Sequence, residues 1–232
     1  MTRQVVLPGD PPIALELRPS ARARQLSLRV SRLDGRVTLT LPHGASRRHA
    51  LAFAETRAGW IRRHLAQRPD MAVPMPGGTL PFRGAEHEIV AGPGRAVRLG
   101  PGRIEVPARD PDRTPARLAA FLKTEARGAL ALAVDRHAAR LGVSPGKLTL
   151  RDTRSRWGSC THRGDLMFSW RLAMAPEAVL DYVAAHEVAH IIEMNHSPAY
   201  WAQVARTFPG YKAPRKWLKD NAEALHRYRF GD

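Results

Sequence analysis

His186-Glu187-Val188-Ala189-His190, with His196 six residues further on, is the stretch on which the reading of this chain turns. On a helix, residues four apart lie about 40° from each other around the axis, so His186 and His190 project side by side from one face. Two imidazoles at that spacing can hold one metal ion, and Glu187, beside the first, can act on a water at that ion. The third ligand depends on where the helix stops. If it ran on, His196 would point about 100° away and Glu193 would lie on the ligand face. Asn195 tolerates the left-handed conformation that ends helices, and Ser197-Pro198 reads as the N-cap and first position of a new helix. That break favours His196 as third ligand and leaves Glu193 to orient a ligand imidazole. The metal helix is expected over 176–195, opened by Pro176 and Glu177, with Val179, Tyr182 and Val183 on its buried stripe.

The rest of the chain sets bounds. Its 232 residues can bury one large core or two small ones. No apolar run reaches membrane-span length, and the N-terminus lacks a signal-type apolar core, so no membrane partner is expected. The single cysteine, Cys160, excludes an internal disulfide and suits a reducing, cytoplasmic setting. It reads as a small strand residue rather than a ligand or nucleophile. The formal charge is +16, and 32 of the 37 basic residues are arginine, a skew that can also follow from composition alone. The excess favours anionic partners: nucleic acid, nucleotides or acidic peptides.

Outward from the metal stretch, alternation marks the strands. Leu26, Leu28 and Val30, then Val37, Leu39 and Leu41, flank Asp34-Gly35, a hairpin signal. Ser46 caps a helix over 46–66 whose inner face is Ala50, Phe53, Ala54, Trp60, Ile61 and Leu65. Residues 69–78 read as a connector, and short strands follow at 79–83, 86–91, 95–99 and 102–106. The polar run 107–115 is the expected domain boundary. Thr114-Pro115 opens a helix to Leu141 with Leu118, Phe121, Leu122, Leu132 and Ala133 inward and Gly142 as its stop. His137, near its end, reads as a surface residue compensating the helix dipole. A strand at 147–152 and a hairpin through Trp157–Cys160 and Leu166–Trp170 precede the metal helix. Beyond it, Tyr200, Trp201, Val204 and Phe208 form an apolar face, and Pro214 starts a last helix with Trp217, Leu218 and Leu225.

Taken together, Arg154-Ser155-Arg156-Trp157-Gly158-Ser159-Cys160, Ser169-Trp170-Arg171-Leu172, Asp181-Tyr182-Val183 with the HExxH stretch, and Asn195-His196-Ser197 with Trp201 resemble the YgjP-like family. That is a family of bacterial zinc-dependent hydrolases related to SprT-like metallopeptidases. Arg24–Val30 with the hairpin and helix after it also looks like this family. The resemblance implies Zn2+ held by His186, His190 and His196, with Glu187 as general base. It leaves two substrate classes: a peptide or protein, or a nucleoside triphosphate hydrolysed to release pyrophosphate.

Three neutral imidazoles would leave zinc its double charge and an open fourth position. A developing oxyanion needs a further donor, for which Arg156, Arg171 and Tyr200 are candidates. Trp157–Cys160 or Leu166–Trp170 could pair with an extended substrate by strand addition. A structural zinc would call for four protein ligands, often paired cysteines, and the lone Cys160 speaks against a zinc-stabilised nucleic-acid module. The expected fold is α+β. It has a β-rich N-terminal domain, 1–110, and a helical zincin-like catalytic domain, 111–232, carrying a small β-hairpin. Zinc-dependent peptide hydrolysis leads, and weak nucleic-acid binding through the basic surface is a further expectation.

Overall fold

The computed structural model describes residues 3–31, 35–66 and 70–231. The chain is α+β, as expected, and divides into two compact units, Met1–Asp70 and Met71–Asp232. The division falls in the Pro- and Gly-rich connector rather than at 110/111. The physical reason is a shared core: Leu80, Phe82, Ile89, Ile104 and Val106 of the 79–107 strands pack in one cluster with Leu118 and Leu122 of the helix that follows. The polar run 107–115 joins two elements of one core and separates nothing.

In the first unit, period-2 alternation buries one sheet face. Ile13, Leu15 and Leu17 of β2 (Ile13–Ser20) and Val37, Leu39 and Leu41 of β4 (Val37–Pro42) are all buried. With β1 (Arg3–Leu7) and β3 (Ser27–Val30) they form a sheet of order β1-β2-β4-β3. β3 and β4 are the antiparallel pair expected there. Of their connecting pair, Gly35 takes φ 71°, whereas Asp34 lies outside the described residues. Ser46 caps α1 (Arg47–Thr56), its hydroxyl accepting from the His49 N–H at 3.5 Å. The single helix expected over 46–66 is broken at Arg57, and α2 (Ala58–Ala66) follows. The Thr56 hydroxyl donates to the Phe53 carbonyl, competing for the main chain, and Gly59 weakens the next turn. Ala50, Ala54 and Ile61 are buried as expected, but Trp60 is 36% exposed and lies against His64 at 4.2 Å.

The second unit carries the metal stretch. β5 (Thr79–Phe82), β6 (Ala85–Gly92), β7 (Arg98–Gly100) and β8 (Arg103–Pro107) form a sheet of order β5-β6-β8-β7. α3 (Thr114–Leu141) crosses this core and ends at Gly142, whose φ of 69° suits a residue without Cβ. Leu132, expected inward, is 70% exposed, because Ala133 beside it holds the inner stripe. His137, expected at the surface, is fully buried.

β9 (Leu148–Arg151), β10 (Gly158–Cys160) and β11 (Leu166–Ser169) form a second small sheet of order β10-β11-β9, which leaves β10 at the edge. A 3-10 helix, Trp170–Met174, then leads into α4 (Glu177–Ala189). The β5–β6 turn fixes this entry: the Arg83 and Gly84 N–H groups donate to Ala173 and Met174 carbonyls at 2.9 and 3.1 Å. Gly84, at φ 82°, leaves room for Pro176, whose Cγ would sit 2.8 Å from any Cβ there. α5 (Pro198–Thr207) and α6 (Lys212–His226) complete the unit. Among the described residues no helix is long and apolar enough to cross a membrane.

Candidate metal centre

α4 stops six residues short of the expected 195, at Ala189 with His190 as C-cap. Its last turn tightens: Ile191 and Ile192 N–H groups donate to Val188 and Ala189 carbonyls, both at 3.1 Å. The chain then turns back through Asn195. Its side-chain oxygen accepts from the Ser197 N–H at 3.0 Å, so it acts through an Asx turn and not through a left-handed backbone. Ser197 caps α5, accepting from the Tyr200 N–H at 3.3 Å. Between these two turns His196 swings onto the face shared by His186 and His190.

The outcome is a cluster in which the donor atoms of His186, His190 and His196 all lie within 4.8 Å of one another. The Nε2 atoms of His186 and His196 are 3.1 Å apart. Two nitrogens bound to one tetrahedral zinc at ~2.0–2.1 Å would sit ~3.3 Å apart, so the spacing fits such an ion. His190 Nδ1 donates to the Glu193 carbonyl at 3.0 Å, which fixes its tautomer and leaves the Nε2 lone pair available to an ion. Burial, then the neighbouring imidazoles, push His186 down to about 3; burial also lowers His190. Both are therefore held neutral, as ligands must be.

Tyr200 is buried behind this cluster. Its ring stacks on His190 at 4.4 Å, and its hydroxyl donates to the His186 carbonyl at 3.0 Å. It ties α5 to α4, and that hydrogen bond commits the hydroxyl proton of one of the three residues that were candidates for an oxyanion donor. Tyr182, which the sequence placed only in the buried stripe, sets its hydroxyl 3.5 Å from His186 Nδ1. A separate buried link braces the helices from behind. His137 of α3 bonds Asp181 of α4 and Thr207 of α5, each at 2.7 Å.

Glu187 is 4% exposed and faces a cavity of ≈ 410 Å3 together with His186, His190, His196, Arg156 and Trp157. Burial pushes its carboxyl up to about 8, against the pull of the Arg156 guanidinium. Gly158, on the edge strand, passes so close that a Cβ there would stand 2.5 Å from Glu187 Oε1. Cys160 shares the cavity wall. Burial, then the charges of Glu187 and Asp165, push its thiol up to about 11, so it stays protonated at neutral pH.

Arg171 lies elsewhere. It forks onto Asp152 at 2.6 and 3.0 Å and donates to the Leu225 and Tyr228 carbonyls, so it locks the C-terminal helix and is not a substrate contact. Glu193 contributes its main-chain carbonyl rather than its carboxylate. Trp157 lines the cavity and rests against His226 at 4.9 Å. Two residues escaped the sequence reading. Gly158 stood inside a quoted motif but gave no sign of its closeness to Glu187. Arg215, whose guanidinium carbon sits 4.3 Å from the Trp201 ring centroid, comes from a helix with no pattern of its own pointing to the centre.

Residues 24–221 match the YgjP-like family, metallopeptidase domain. No curated protein matches the chain. Among solved structures, the crystal structure of the metallopeptidase zymogen of Pyrococcus abyssi abylysin aligns at 19% identity and a TM-score of 0.36, covering 39% of this chain and 93% of that one. The family match begins just before β3, ends inside α6, and so takes in every residue of the centre. The chain belongs to the YgjP-like family and carries its metallopeptidase domain.

Proposed function

We propose that this chain is a zinc-dependent peptidase, with His186, His190 and His196 as metal ligands and Glu187 as general base. The observation that carries the reading is the convergence of three imidazoles from two separate elements beside one buried carboxyl in the same cavity. When bound, the ion would supply a double positive charge that lowers the pKa of a water from about 15.7 toward about 7. The same charge would draw the Glu187 carboxyl down from its raised value, so that it works as a carboxylate. Glu187 then takes the proton of the attacking water and delivers it to the leaving amine. Tyr200 and Tyr182 hold the imidazoles in place, and the Glu193 carbonyl keeps His190 in its ligand tautomer.

The edge position of β10 supports a peptide substrate. β11 is paired on both sides and cannot accept another strand, whereas β10 has an open edge beside Glu187. The test is cleavage of an unstructured protein by the zinc-loaded chain, with Glu187→Gln as control. A Glu187→Gln rate 10²–10⁴-fold lower, at about the same metal content, is expected for a lost general base. Equal rates would end the proposal. Glu187-dependent release of pyrophosphate from nucleoside triphosphates, without protein cleavage, would replace the peptide with a nucleotide.

A further inference from the structure

Several arginines of the second unit are tied to carboxylates. Arg83, Arg117, Arg136 and Arg171 each meet a carboxylate, with N···O distances between 2.5 and 3.7 Å. Among the described residues Arg156 and Arg215 meet none, and both bear on the metal centre. Arg156 lines the cavity directly, where Glu187 is the one acidic residue. Arg215 is one turn before Leu218, a further cavity residue, and is laid over Trp201, which packs 5.8 Å from His196 and 5.2 Å from Tyr211. A guanidinium held over an aromatic ring keeps its edge N–H donors free for an anion while its position is fixed. Unpaired cations beside a catalytic carboxyl disfavour a cationic substrate and favour an anionic one.

We propose that Arg156 and Arg215 form an anion subsite at the metal cavity, selecting substrates that carry a carboxylate or a phosphate next to the bond to be cleaved. The subsite rests on the metal-centre reading above and specifies its substrate class. Both sources of negative charge share the chemistry of two or more oxygens presented to a guanidinium fork.

The subsite can be read by binding alone. Zinc-loaded Glu187→Gln protein is titrated in a calorimeter with an acidic nonapeptide, with its Asn/Gln counterpart, and with inorganic triphosphate. The acidic peptide is expected to bind about tenfold or more tightly than its neutral counterpart. Adding Arg215→Gln or Arg156→Gln should remove most of that difference, and Arg215→Lys should recover part of it. Arg98→Gln, the same charge change on β7, should not alter it. Triphosphate binding that weakens with the same two substitutions, with no preference between the peptides, would assign the subsite to phosphate. Equal binding of both peptides, with triphosphate indifferent to both arginines, would overturn the proposal. A wild-type chain that cleaves both peptides without charge preference also overturns it and leaves the peptidase standing. Arginine-dependent triphosphate binding with no peptide cleavage keeps the subsite and removes the peptidase.

Discussion

At Glu187 burial pulls against the proposed chemistry: the enclosure that raises its pKa favours the protonated carboxyl, whereas a general base must work as a carboxylate. Gly158 makes the enclosure possible. Gly158→Ala would press a methyl group against the carboxyl, so the account predicts a loss of at least about tenfold in kcat with zinc affinity little changed. Equal kcat in a kinetic comparison would show that the strand yields. His226, packed against Trp157, supplies a pH test away from the metal ligands. Burial, then the Arg171 charge, lower it from 6.5 to about 4, so the unfolded chain binds its proton first as pH falls. Its contribution is complete above about pH 6.5 and is lost as pH falls toward about 4. Urea midpoints at pH 7 and pH 5 should therefore differ less in His226→Gln than in the wild type; an unchanged difference would contradict the assignment. The shared face of His186 and His190 was legible because helical spacing is a property of neighbours in sequence, and the return of His196 to it was legible from the turn signals at Asn195, Ser197 and Pro198. The commitments of Arg171 and Tyr200 were not, since their partners come from distant segments.

Among the elements, the end of α4 decides which side chains meet in the candidate site. Signals at Asn195, Ser197 and Pro198 identified a turn correctly, yet the helix stops earlier, at Ala189, where the last turn tightens and the His190 side chain then bonds the Glu193 carbonyl. That bond exists only once the chain has turned. Since Glu193 acts through its main chain, Glu193→Ala should leave zinc affinity within about tenfold, whereas His196→Ala should weaken it more than about 100-fold. Competition with a zinc-binding dye measures both, and the reverse order would restore a continuous helix with Glu193 as ligand. The misreading of His137 has a similar origin. Its place near a helix C-terminus suggested a dipole role, but the packing of α3 against α4 and α5 sets it between Asp181 and Thr207. Sequence patterns locate elements well; which of their polar residues become buried depends on neighbours that periodicity does not name. Strand existence followed from alternation, while the edge position of β10 required the sheet order.

For the whole molecule, the two separate cores set the expected thermodynamics. The chain should unfold in two calorimetric transitions, and removal of zinc should lower only the one belonging to 71–232, since a ligand stabilises the unit that binds it. At a free zinc concentration of 100 Kd the shift corresponds to about 2.7 kcal/mol. One transition, or a shift of both, would mean that the units unfold together. The connector was readable from its Pro and Gly content, but the expected boundary at 110/111 mistook a polar loop within one core for a gap between two. The central claim is that His186, His190 and His196 form one metal site, and metal content tests it most directly. Elemental analysis of purified wild-type, Glu187→Gln and His186→Ala proteins should find about one zinc per chain in the first two and little in the third. Absence of zinc from the wild type, or full retention in His186→Ala, would contradict the account.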